Sequence, residues 1–140
     1  MLKQIATIDI ARPEHFSNFH STSVYCKLQF EGDKKWIPLA HYSISTIKYT
    51  STTKKTDAGL EYTHKLAFSI PSIRFSMTQI AQLCNIDLIV RITYNDGECH
   101  ILGTPDFPAI FTKKTETSES SIHKAELQCV SICDLLVLKS

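Results

Sequence analysis

The residues that could do chemistry here are five cysteines, six histidines and a set of lysines interleaved with tyrosines. Cys129 and Cys133 stand four apart, and Cys99 precedes His100. On a strand, positions four apart share a face but lie about 13 Å apart at ~3.3 Å per residue. One zinc ion cannot span that distance without a bend. No Cys-x-x-Cys occurs, and the only closely spaced histidines are His15 and His20 in a segment without regular alternation. Buried free thiols are the simpler reading, with no metal and no cofactor implied. No Gly-x-Ser-x-Gly elbow is present, and four glycines make no phosphate-cradling loop. Nothing activates one cysteine as a nucleophile, so the sequence predicts a protein that is not an enzyme and has no small-molecule substrate.

A different chemistry lies in Lys48, Tyr49, Lys54, Lys55, Tyr62, His64 and Lys65. Cations alternating with aromatic rings can stack bases along a cationic groove, as small barrels of the OB type do. The competing reading is that lysines keep a projecting hairpin soluble and blunt its edge. Single-strand nucleic-acid binding through Lys48, Tyr49, Lys54, Lys55, Tyr62 and Lys65 therefore stands as the alternative to a purely structural role.

These residues need elements to hold them. The chain has 140 residues, room for one core, so it reads as a single β-rich domain over 1–140. It is 43% hydrophobic and 21% charged, which favours folding over disorder, and its net charge of +1 invites neither nucleic acid nor anionic lipid as a whole. Ile, Val and Thr make up 34 residues against 8 Ala, which favours strands. No stretch approaches the ~20 apolar residues that span a bilayer. Met1 to Pro13 lacks the apolar run of a signal peptide, so synthesis without export is expected and no membrane partner.

Residues 2–11 read as a first strand, followed by an irregular stretch from Arg12 to Ser21. Val24, Cys26, Leu28 and Phe30 alternate with polar residues, and Glu31 to Lys34 makes a turn. Pro38 belongs on an edge. Ile44–Tyr49 and Leu60–Ile70 are expected as the arms of a hairpin, with Thr50 to Gly59 as a polar, projecting tip. Met77, Ile80, Ala81 and Cys84 at helical spacing predict one short helix over residues 75–85. Ile86 to Tyr94 alternates strictly up to an Asp96-Gly97 turn. A two-residue loop there would pair Tyr94 with Cys99 and Ile92 with Ile101. Ala109–Thr112 is a short strand, Lys113 to Ser121 a second polar tip, and Ile122–Leu138 a closing strand that needs a bend. The fold class is thus mainly β: an antiparallel sandwich or barrel of about seven or eight strands with one short helix.

One stretch resembles a known group. Leu88 to Gly97, then Ile101-Leu102-Gly103-Thr104-Pro105 with Pro108, is similar to a pattern in small phage and prophage proteins encoded among head–tail and tail genes. The layout of Ile122 to Leu138 and of Lys54 to Tyr62 resembles theirs, so the likeness covers residues 44–138. It implies a structural component of a virion or phage-derived particle, in the neck or tail region. Such a component works as a multimer with copies of itself and neighbouring particle proteins. Lys54, Lys55 and Asp57 at the first tip and Thr115, Glu116 and Glu119 at the second are the residues expected to face those partners.

Overall fold

The computed structural model describes residues 4–22, 25–38, 45–71, 86–114, 122–131 and 136–138. Strand β1 (Ile5–Ala11) leads through a 3₁₀ turn, Pro13–His15, into β2 (Phe16–Ser21), β3 (Tyr25–Phe30) and β4 (Ile37–Pro38). A long hairpin follows, β5 (Ser45–Thr56) and β6 (Gly59–Pro71). The remainder is β7 (Asp87–Tyr94), β8 (Cys99–Leu102), β9 (Ala109–Lys114), β10 (Ile122–Ser131) and β11 (Leu136–Leu138). The protein is mainly β, and all eleven strands among the described residues belong to one hydrogen-bonded sheet. That exceeds the seven or eight expected. The helix expected over 75–85 lies outside the described residues.

The sheet consists of two ladders. One runs β4-β1-β7-β8-β11-β3-β2, the other β9-β10-β6-β5. Every described pairing is antiparallel except β11 with β3. The ladders join at the start of β7, where Asp87 and Leu88 pair with Ile110 and Ala109. Leu102 pairs with Val90 and Ala109 with Leu88, so the six residues Gly103 to Pro108 stand opposite Ile89 alone. β8 and β9 are in effect one strand interrupted by an excursion, and the chain uses that excursion to pass from one ladder to the other. Among the described residues neither β2 nor β5 has a second neighbour, so no barrel is closed by hydrogen bonds.

The first core lies between the ladders. Ile8, Ile10, Val90, Ile92 and Leu102 from one meet Leu66, Phe68, Phe111 and Leu127 from the other. The second core lies on the opposite face of the first ladder, around Cys26, Ile89, Ile101 and Leu136. There the first ladder curls, because a short 3₁₀ turn is all that separates β1 from β2. Phe16, Phe30 and Trp36 pack together, with ring centroids 4.5 to 5.6 Å apart. Trp36 also covers the Arg91 guanidinium at 5.0 Å. Arg91 in turn donates to Asp9 Oδ2 from Nε at 3.0 Å and from its terminal nitrogen at 2.7 Å. A buried carboxylate is held by its cross-strand partner, as such a group requires.

Three expectations need correction. Arg12 to Ser21 is ordered as the 3₁₀ turn and β2, because Phe16 and Phe19 find the aromatic cluster. The stretch Thr50 to Gly59 is ladder as far as Thr56, and only Asp57 and Ala58 form the turn. A run of Thr suits extended backbone better than it suits a loop. The third correction is one of register. Thr93 pairs with Cys99 and Ile92 with His100. The loop has three residues, with Gly97 Nα donating to the Tyr94 carbonyl at 3.0 Å and Gly97 at φ 89°. This is a turn followed by a glycine bulge, not a two-residue turn. The slip of one residue puts Ile101 in the second core and His100 beside Tyr94, at 5.0 Å between ring centroids.

Candidate functional site

Two surface features stand out from this frame, a groove on the second ladder and the tip of the long hairpin. The groove exists because the chain leaves the sheet at Gly103. A Cβ there would lie 3.0 Å from the Ala109 nitrogen and 3.1 Å from the Leu88 oxygen, and φ is +98°, so glycine alone fits. Beyond it Thr104 and Phe107 exchange backbone hydrogen bonds at 3.1 Å, and Thr104 Oγ1 accepts from the Phe107 amide at 3.0 Å. Cys129 Sγ donates to the Phe107 carbonyl at 3.1 Å, tying the excursion to β10. Asp106, Phe107 and Pro108 are thereby held beside the outward face of β9 and β10. With Ile110, Thr112, Gln128 and Val130 they line a cavity of about 490 Å³. Phe107, Ile110 and Val130 are 38%, 37% and 42% exposed, so three of the six exposed large apolar side chains among the described residues gather in one place. Clustered apolar exposure marks a contact surface where scattered exposure does not. Two carboxylates border the groove on the β7 side, Asp106 in the lining and Asp87 directly across the ladder from Ile110, while Lys65 stands across from Gln128 on the β6 side.

The hairpin tip is built by two glycine-assisted residues. Thr56 Oγ1 donates to the Gly59 carbonyl at 2.9 Å and accepts from the Ala58 amide at 3.3 Å. Among the described residues, pairing of β10 with β6 runs as far as Tyr62. Leu60 at the end of the tip is 55% exposed and lies directly across from Lys55.

The pairing also decides which candidate residues share a face. Lys48 lies opposite Ala67, Lys54 opposite Glu61, and Lys65 opposite Thr50. Alternation puts these three lysines on the outward face, with the groove. Tyr49, Tyr62 and Lys55 stand on the other face with His64. Tyr49 Oη is 2.8 Å from His64 Nδ1, Ser51 Oγ is 3.4 Å from the same nitrogen, and both tyrosine rings stack on the buried imidazole. The cations and rings that interleave in the sequence are thus mostly separated by the sheet, and one stacking groove would need them together. Lys54, Lys55 and Asp57 are exposed at the tip. Thr115, Glu116 and Glu119 lie outside the described residues.

The thiols behave as small apolar groups. Cys26 and Cys99 are free thiols, and burial pushes the Cys26 thiol up to about 11. His100 Nε2 lies 2.7 Å from Glu98 Oε1 on the exposed hairpin. Among the described residues no three His, Cys, Asp or Glu side chains converge as a metal site. Nor is any helix there long and apolar enough to cross a membrane. In comparisons with protein-family models, curated proteins and solved structures, nothing matches the chain.

The groove is the feature that reading the sequence missed. Ile110 and Val130 each sit on the outward phase of an alternating strand, where a solvated sheet carries polar residues. That phase was readable only once the register was known.

Proposed function

We propose that this chain is a structural assembly module with no catalytic role, joining copies of itself and neighbouring proteins in the neck or tail of a phage or prophage-derived particle. The observation that carries this reading is the long β5–β6 hairpin. β5 is twelve residues of β-branched and polar sequence whose outer edge has no described partner. An unpaired edge offers backbone donors and acceptors to an incoming strand. The exposed hairpin tip continues that edge. The two ladders around a shared core are read as a sandwich with one parallel step, a rigid base from which a hairpin can reach a neighbour. A component of this kind is made in the cytoplasm and ends in the particle.

Sedimentation velocity over a rising protein concentration tests the reading. Multimers are expected, with hydrogen exchange slowing at the β5 amides as they form. A chain that stays monomeric at every concentration, alone and with the products of adjacent genes, sinks the proposal.

A further inference from the structure

The groove and the tip fit each other, and we infer that the hairpin tip of one copy seats in the groove of the next. The inference rests on the assembly reading above and names its contact. The tip offers one exposed apolar side chain, Leu60, with a cation, Lys55, directly across the hairpin. The groove offers an apolar floor of Phe107, Ile110 and Val130, with the Asp87 carboxylate directly across the ladder from Ile110. Both pairs are cross-strand neighbours, about 5 Å apart on one face. Apolar group can therefore meet apolar group while cation meets carboxylate, at the same spacing on both sides. Asp106, on the groove lining, adds a second carboxylate on the loop side.

The occupant cannot be the molecule's own tip. Leu60 belongs to the hairpin face that carries His64, whereas Val130 lies opposite Thr63 on the reverse face. Leu60 is held in the β5–β6 ladder opposite Lys55, next to a two-residue turn, so it cannot reach round to that face. A second copy has no such constraint. The two surfaces differ, so the contact is heterologous: a joined pair still has one free tip and one free groove, and the assembly propagates into a ring or a file. Burying Leu60 against the groove removes exposed apolar area from both partners, and the flanking charges fix orientation.

The test uses two variants, Leu60→Asp and Val130→Asp, both at exposed positions where folding is not at stake and can be checked by circular dichroism. Each alone loses one of the two surfaces and should associate at least about thirtyfold more weakly than wild type by sedimentation velocity. Mixed in equal amounts they should form a one-to-one dimer that does not grow, because the intact groove of one meets the intact tip of the other. Lys55→Glu should weaken association and Asp87→Lys in the partner copy should restore it. Variants that assemble like wild type, or a folded mixture that stays monomeric, overturn this contact while leaving the assembly reading standing. A monomeric wild type removes both.

Discussion

At the scale of single residues, the thiols are the best place to separate structure from chemistry. Cys26 is buried in the second core, and the cause of its raised value is loss of solvation for the thiolate. The folded thiol titrates near 11 and the unfolded one near 9.0. Below pH 9 the group is neutral in both states and its contribution to stability is whole. Between pH 9 and 11 the unfolded chain releases the proton and the folded chain keeps it, so stability falls as pH rises. Tyrosines and lysines also titrate in that range, so the informative measurement is a difference. Urea unfolding of wild type should lose more stability from pH 9 to 11 than that of Cys26→Ala. Equal slopes would show that burial of this thiol has no such effect. At pH 8 alkylation of Cys26, mapped by peptide mass, should follow global unfolding, whereas the half-buried Cys99 reacts from the native state.

Among the elements, the excursion between β8 and β9 determines most. It passes the chain from one ladder to the other and raises Phe107 beside Ile110 and Val130. Gly103 permits it, since any side chain would press on the backbone of Ala109 and Leu88 in a left-handed conformation. Gly103→Val should therefore cost about 2 kcal/mol or more in chemical denaturation. A variant as stable as wild type would mean that the excursion has another way to form. The sequence announces this turn through its glycine and two prolines, and it announces the β7 strand through strict alternation. The register of the β7–β8 hairpin was not legible, because Asp96-Gly97 suits a two-residue turn and a three-residue bulged loop about equally. The register decides which core each residue enters: the three-residue loop puts Leu102 in the first core and Ile101 in the second, where the two-residue loop would exchange them. The second ladder hid its groove for a related reason. Composition shows that Ile110 and Val130 are apolar, but not that they are unburied, which depends on β9 and β10 lying side by side with their alternation in phase.

At the scale of the whole molecule, the two ladders are joined through the first core, which draws on residues of both. Phe111 in β9 packs on Phe68 in β6, with ring centroids 6.0 Å apart, and both join a cluster that includes Ile8 and Ile10 of β1 and Val90 of β7. The contacts that close this cluster are far apart in sequence, so nearly the full chain must be ordered before any of them forms. Unfolding should accordingly be one cooperative transition, reported alike by Trp36 fluorescence in the first ladder and by hydrogen exchange of β6 in the second. Phe111→Ala removes a buried ring from the junction and should destabilise by about 3–5 kcal/mol. The decisive point is where that loss appears. If the core is shared, both probes shift together by the same amount. If β6 opens at lower urea while the environment of Trp36 is unchanged, the ladders are separate folding units joined only through the start of β7. The hairpin would then be a hinged arm and not part of a rigid base.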